Sequence, residues 1–306
     1  VVEQPFVVSE IASQPDCWRR AAQLCTGDLP ARTERVAVVG CGTSWFIAQA
    51  YAVLREAAGH GLTDAFAASE FPVGREYDRI VAITRSGTTT EVLDLLGRVT
   101  APTVAITADP TTPVMELAGS TVVLDFADER SVVQTRFATT ALALLRASLG
   151  ESLDAAITDA ERALEFPLPQ EVLAAEQFTF LGRGWTCGLA QEAGLKMREA
   201  ACAWTEAYPA MEYRHGPISI TSPGRVAWML GPAPAGLADD VAATGGIFLE
   251  AQGDPMAELI KVQRLAVALA QAQGLDPDNP RHLTRSVILA EDPLAGSSSG
   301  NAKAAS

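Results

Sequence analysis

Lysine is almost missing from this chain. Of its 23 basic residues only Lys196, Lys261 and Lys303 are lysines, and the rest are arginine. Positive charge as a whole is short: 23 Lys and Arg stand against 37 Asp and Glu, for a net charge of -14. That balance argues against a nucleic-acid partner, which needs a basic face. It leaves room for a small anion held locally by backbone N–H groups and hydroxyls. The five cysteines are odd in number and no two are spaced as CxxC, so neither a disulfide framework nor a zinc site is expected. His60, His215 and His282 lack the spacing of metal ligands, so no metal is expected. No apolar run reaches the roughly 18 residues of a membrane span and no basic-then-apolar leader opens the chain, so no membrane is expected and a reducing cytoplasm is the expected location. Aromatics make up only 6% of a chain that is 48% hydrophobic. The interior is therefore one of small aliphatic side chains, which favours an α/β fold.

The 306 residues can bury one large core or two of ordinary size. After an entry segment, residues 1–35, with a short amphipathic helix from about Asp16 to Leu24, "RVAVVGCGTSWFIAQAYAVLRE" reads as a buried strand at Val36–Val39, a glycine turn and a helix from about Ser44 to Ala58. "DAFAASEF", "RIVAIT", "PTVAIT" and "STVVLDF" follow as strands, with helices from about Thr90 to Val99 and from about Val132 to Leu149. Residues 151–175 are helical and carry Pro167 and Pro169. Then "QFTFLGRGWTCGLAQEAGLKMREAACAW" repeats the strand, glycine turn and helix. "RVAWML" and "GGIFLE" are further strands, and a helix runs from about Pro255 to Gln273. Strands alternating with helices predict parallel sheets covered on both faces. The repeat predicts two tandem units, 36–150 and 151–275, before a tail, 276–306, whose end "GSSSGNAKAAS" is low in complexity.

The stretch "VAITRSGTTTEVLDLL" stops an apolar strand at a cluster of hydroxyls. In open parallel sheets ligands bind beyond the carboxyl ends of the strands, and both "GCGTS" and "TRSGTTTE" sit there, each opening a helix. One helix cap needs one hydroxyl; Thr84, Ser86, Thr88, Thr89 and Thr90 exceed that need and suit a phosphate monoester. "GRGWTCG" spaces its glycines as G-x-G-x-x-x-G, which is not the dinucleotide fingerprint, and no GxxxxGK[ST] is present. "EAGLKMREAA" puts Glu192, Lys196 and Glu199 on one helix face, the pattern of an ordinary surface ion-pair row as much as of a catalytic group. His215, before Gly216-Pro217, reads first as a residue beside a tight turn.

Together "GCGTS", "ASEF", "TRSGTTTE" and "EAGLKMREAACAWTEAYPAMEYRHGP" resemble the sugar isomerase (SIS) family, and most closely the isomerase half of glucosamine-6-phosphate synthase. "SEIASQP" and "DNPRHLTRSV" extend the likeness from about Ser9 to Ala290. The resemblance implies two flavodoxin-like SIS subdomains, each an αβα sandwich. The glutaminase half that would precede residue 1 is not in this sequence, which implies no internal ammonia source. Ser44, Thr84, Ser86 and Thr89 match the phosphosugar-binding hydroxyls. Arg85 stands where the synthase has Gln, and Val132 and Gln134 match substrate-contacting positions after the fifth strand. Glu199 matches the carboxylate that moves a proton between sugar carbons 1 and 2, Lys196 a lysine that assists it, and His215 the ring-opening histidine that reaches across from a partner subunit. A homodimer with shared sites is thus implied.

Arg285 stands where the synthase has the lysine that forms an imine with fructose 6-phosphate. Arginine keeps a charge and a fork of donors but is never a free amine, so amino transfer from glutamine is not expected. The expected substrate is a phosphorylated aminosugar, glucosamine 6-phosphate or its N-acetyl form. Glu199 would remove the proton beside its carbonyl, giving isomerisation, deamination or, by loss of the 3-hydroxyl, dehydration. The substrate's own carbonyl is the electron sink, so no cofactor is expected. The alternatives are a phosphosugar sensor without catalysis and a deglycase acting on a sugar phosphate attached to an amino acid.

Overall fold

The computed structural model describes residues 4–24 and 27–290; Cys25, Lys303 and the low-complexity end lie outside the described residues. The chain opens with two helices, α1 (Phe6–Ala12) and α2 (Gln14–Ala21), rather than one from about Asp16. Pro15 sits in the first turn of α2, where a missing N–H costs nothing but where an earlier helix cannot continue through. The tail returns to hold α1: the Asp278 carboxylate accepts from Phe6 N–H at 2.7 Å and Val7 N–H at 2.8 Å.

The first unit then runs β1 (Val36–Gly40), α3 (Thr43–Ala57), β2 (Thr63–Ala67), β3 (Arg79–Ile83), α4 (Thr90–Leu96), β4 (Thr103–Thr107), α5 (Val114–Leu117), β5 (Ser120–Val123) and α6 (Arg136–Ser148). The second runs α7 (Asp154–Glu165), α8 (Gln170–Leu173), β6 (Gln177–Gly182), α9 (Thr186–Ala201), β7 (Trp204–Pro209), β8 (Arg225–Met229), α10 (Leu237–Ala243), β9 (Ile247–Glu250) and α11 (Pro255–Ala272). Both sheets are wholly parallel. Their orders are β2-β1-β3-β4-β5 and β7-β6-β8-β9, the same winding, with one more strand on the first. The first is the flavodoxin-like order.

Elements further along also depart from the sequence reading. The helix expected from Val132 starts at Arg136, because the buried Glu129 carboxylate accepts from the N–H groups of Thr135 (2.6 Å) and Arg136 (2.8 Å). That fixes the helix start there and leaves Val132 and Gln134 in a loop. Strand β7, "WTEAYP", was not expected: it is an edge strand with no buried run. Helix α10 has seven residues, too few to show a period.

Alternating side chains of each strand go to opposite faces. In the first sheet Val36, Val38, Val81, Ile83, Val104 and Ile106 enter the main core, while Ala37, Val39, Ile80, Ala82 and Ala105 pack with Val92, Leu95 and Leu96 of α4. In the second, Phe178, Phe180, Val226 and Trp228 enter the same main core, and Leu181, Ala227 and Met229 pack with Leu237 and Val241 of α10. The two sheets thus share one continuous interior, filled by α3, α6, α9 and α11. Helices α3 and α9 cross closely at Gly188, where a Cβ would stand 2.4 Å from the Phe46 carbonyl oxygen. Gly188 is the third glycine of "GRGWTCG", which explains a spacing that fits no dinucleotide motif. Among the described residues no helix is long and apolar enough to cross a membrane.

Candidate active site

Strand β1 connects outward to β2, and β3 connects the other way to β4. Their carboxyl ends therefore diverge, and such a switch point leaves a crevice. A cavity of about 260 Å³ lies there. Ser44 of α3, the Thr84–Thr89 loop, the loop after β5, Glu199 of α9 and the tail at Arg285 and Ser286 all face it. Of the expected site residues, Ser44, Thr84, Arg85, Ser86, Thr89, Val132, Gln134, Glu199 and Arg285 are brought together in this one place.

The hydroxyl cluster is not a set of caps. Neither α3 nor α4 has a side-chain cap hydrogen bond. Thr84 Oγ1 is buried with no hydrogen-bond partner among the described residues, as is Gln134 Oε1. Buried polar atoms are normally paired, so two unmatched ones on a cavity wall point to a polar ligand. Two other hydroxyls hold the tail in place: Thr88 Oγ1 donates to Ser286 Oγ at 3.0 Å, and Leu289 N–H donates to Thr90 Oγ1 at 2.9 Å. Cys41 also lines the cavity. Burial, then the Glu91 carboxylate, pushes its thiol up to about 11, so it stands there as a neutral group, not a nucleophile.

Arg85 and Arg285 use their donors on the protein. The buried Arg85 guanidinium donates to the carbonyl oxygens of Ser131 (3.1 Å) and Arg285 (3.0 Å), and lies 3.6 Å from the Glu129 carboxylate. Burial holds Arg85 below its ordinary pKa, and burial pushes Glu129 above the usual carboxylate range. Arg285 donates to the Glu129 carbonyl and pairs with Asp128. Below this, Glu10 accepts from Arg130 N–H at 2.6 Å and from the Ser131 hydroxyl. One polar network thus fixes the tail and the loop after β5 as walls of the cavity. The positive charges at positions 85 and 285 are matched within the fold by Glu129 and Asp128.

The row Glu192, Lys196 and Glu199 is buried rather than a surface decoration. Glu192 and Lys196 are 0% and 1% exposed. Lys196 Nζ donates to Glu199 Oε2 at 2.5 Å and Thr43 Oγ1 at 2.9 Å, and lies 3.4 Å from Glu192 Oε1. Thr43 Oγ1 donates to Glu192 Oε1 at 3.3 Å. Burial opposes the Lys196 charge, but Glu192 and Glu199 outweigh it and hold the ammonium above its ordinary pKa. Burial pushes Glu192 up to about 7. Lys196 does not itself face the cavity but contacts two residues that do, Glu199 and Thr43.

His215 is exposed at the end of a single turn, Glu212–His215, anchored by the buried Tyr213, and is not among the residues facing the cavity. Sequence reasoning passed over Thr43, Glu129 and Ser286. Thr43 stood inside the quoted "GCGTS", and Ser286 inside "DNPRHLTRSV". No pattern marked Glu129, which accepts from Thr135 and Arg136 six and seven residues on and faces Arg85 from across the fold.

The cavity lies at the switch point of the first of two tandem parallel sheets, and this two-unit fold matches that of SIS-domain structures. The chain resembles the isomerase half of glucosamine-6-phosphate synthase. It is 27% identical to a glutamine–fructose-6-phosphate aminotransferase (isomerizing) of Gloeobacter violaceus, over 93% of this chain and 58% of that one. With the Vibrio cholerae enzyme of the same name it shares 28%, over 86% and 53%. The chain thus spans a little over half the length of these curated relatives. Among solved structures, a glucosamine-6-phosphate deaminase of Thermotoga maritima superposes with a TM-score of 0.78 at 23% identity, covering 93% of this chain and 100% of that one. A C-terminal domain of glucosamine-fructose-6-phosphate aminotransferase from Francisella tularensis gives 0.74 at 22%, covering 91% and 99%. No family model matches the chain.

Proposed function

We propose that this chain is an enzyme acting on a phosphorylated aminosugar, glucosamine 6-phosphate or its N-acetyl form, by proton transfer beside the carbonyl of the open-chain sugar. The observation that carries the reading is Glu199: a carboxylate on the wall of a hydroxyl-lined cavity, backed by a buried ammonium. The hydroxyls of Ser44, Thr84, Ser86 and Thr89 take the phosphate. They match its acceptor oxygens with donors while adding no charge that would need burying. Glu199 takes the proton next to the carbonyl. The electron pair of that C–H bond becomes the double bond of an enediol or enolamine, and the carbonyl oxygen takes up the charge. Lys196 donates to Glu199 and holds its carboxylate in place for the sugar. Return of the proton to carbon 1 completes the isomerisation, which for glucosamine 6-phosphate gives an imine at carbon 2; water then adds to that imine, and the nitrogen leaves as ammonia as the carbon-2 ketone forms. Arg285 forms no imine, and its guanidinium is paired with Asp128, so transfer of nitrogen through a tail amine is left out.

The test is incubation with glucosamine 6-phosphate and with N-acetylglucosamine 6-phosphate, followed by mass spectrometry. Unchanged mass with the carbon-2 hydrogen moved to carbon 1 marks isomerisation, release of ammonia marks deamination, and loss of water marks dehydration. No conversion of either sugar removes the reading. The exposed His215 serves a neighbouring subunit's site in this proposal, within a homodimer. Mixed dimers of His215→Ala and Glu199→Gln chains should regain part of the activity that each parent lacks. Verified mixed dimers without recovery would reject the sharing.

A further inference from the structure

The buried Glu192 has no place in the steps above, since it does not face the cavity. Yet its surroundings are built. Its Oε1 accepts from Thr43 and faces Lys196 Nζ at 3.4 Å, while its Oε2 has no hydrogen-bond partner among the described residues. An ammonium flanked by two carboxylates inside a protein has one partner more than it needs. That surplus becomes useful at one moment of the reaction. When Glu199 accepts a proton it loses its charge, and Lys196 would be left as a lone buried cation, which is costly.

We infer that Glu192 is the positioning residue that takes over the pairing of Lys196 when Glu199 is protonated, so that the charge of the lysine stays matched throughout the proton transfer. The inference rests on the reading of Glu199 as the base. No bond to Glu192 forms or breaks. The proton moves from the sugar carbon to Glu199, and the ammonium shifts its closest contact from Glu199 toward Glu192, within the reach of its flexible stem. Thr43 is the pivot: its hydroxyl accepts from Lys196 at 2.9 Å and donates to Glu192 at 3.3 Å, and its neighbour Ser44 faces the cavity. The groups acting on Glu192 are Lys196 and Glu199 of its own helix and the neutral Thr43 of α3. The Glu129 carboxylate, from the loop after β5, acts on Lys196. Helix α11 and strands β6 and β7, which also pack on α9, supply none of the groups acting on Glu192. Burial has pushed Glu192 up to about 7, so its charge is adjustable near neutrality rather than fixed.

The two carboxyls are therefore coupled, and their coupling can be read without turnover. In protein carrying ¹³C-carboxyl glutamate, the Glu192 signal is assigned by its loss in Glu192→Gln, or by its displacement in Glu192→Asp if the first variant does not fold. It is then titrated in the wild type and in Glu199→Gln, whose neutral amide stands in for the protonated base. With Lys196 freed to pair with Glu192, the midpoint should fall by about one pH unit. An unchanged or higher midpoint overturns the inference. On the substrate that the mass-spectrometry test identifies, Glu192→Gln should lower kcat at least about 10-fold with KM within about 2-fold. It should also flatten the rise of kcat with pH near neutrality, and Glu192→Asp should restore part of the rate. Wild-type kcat and pH profile in Glu192→Gln would equally overturn it. If neither sugar is converted, the reading of Glu199 fails, and the titration still decides whether Lys196 is shared between the two carboxyls.

Discussion

The two units wind their strands alike, yet their glycine turns do different things. Gly40 and Gly182 end equivalent strands, and each is followed four residues later by a hydroxyl, Ser44 or Thr186. A Cβ on Gly40 would stand 2.6 Å from the Ser44 carbonyl carbon, and one on Gly182 would stand 2.4 Å from the Thr186 carbonyl oxygen, so both turns need glycine. In the second unit Thr186 Oγ1 turns back on its own turn, accepting from Arg183 N–H at 2.8 Å, and Trp185 lies against the Arg146 guanidinium. In the first unit Ser44 faces the cavity, and Thr43, in the place of Trp185, contacts Lys196. The first unit supplies a cradle at the start of its helix. The second supplies the carboxylate and ammonium from the flank and far end of its own. In the proposed function the same fold thus contributes binding in one copy and proton chemistry in the other, by the choice of a few side chains.

That division can be broken from either side. The largest effect is expected from Glu199→Gln, which should lower kcat about 10³-fold while calorimetry still detects the phosphosugar. Retained turnover would take the second unit out of the chemistry. Next comes Gly188→Ala, because the added carbon meets the backbone of Phe46 and Ala50 rather than a flexible tip. Pushing α3 and α9 apart should cost about 1–3 kcal/mol of stability and about 10²-fold in rate, since it displaces base from cradle. A normal melting curve and rate would show that the crossing does not set the site. Smaller is Ser44→Ala, expected to raise KM roughly 10-fold by removing one phosphate donor. Smallest is its counterpart Thr186→Ala, expected to cost about 1 kcal/mol in a denaturant titration and to leave KM alone. Equal effects of the two substitutions on KM would erase the contrast between the turns.

The strands and helices near the site were readable because their signals are local. "VAVVG" and "RIVAI" are continuous apolar runs, and a continuous run means a strand covered on both faces. Where the signal was weak the reading failed: edge strand β7 exposes half-polar residues, and the start of α6 depends on Glu129. The cavity-facing hydroxyls were legible for the same local reason, as a density of Ser and Thr that no cap requires. The use of Arg85 was not. The residue stands in the hydroxyl loop where the synthase has Gln, and its guanidinium donates to a carbonyl 200 positions away.

The order of residues alone determined that this chain makes two parallel α/β units, places a hydroxyl-rich turn at the end of an inner strand and sets Glu192, Lys196 and Glu199 on one helical face. These follow from periods of two and of three to four residues, which need no knowledge of what lies across the molecule. Only the tertiary structure decided that this face is buried, that Thr43, 153 positions from Lys196, meets its ammonium, and that the tail closes the cavity wall. Burial and charge pairing are properties of what surrounds a side chain. For Glu192 those surroundings come from another helix as well as its own, brought close by a crossing at Gly188 where backbone passes near backbone.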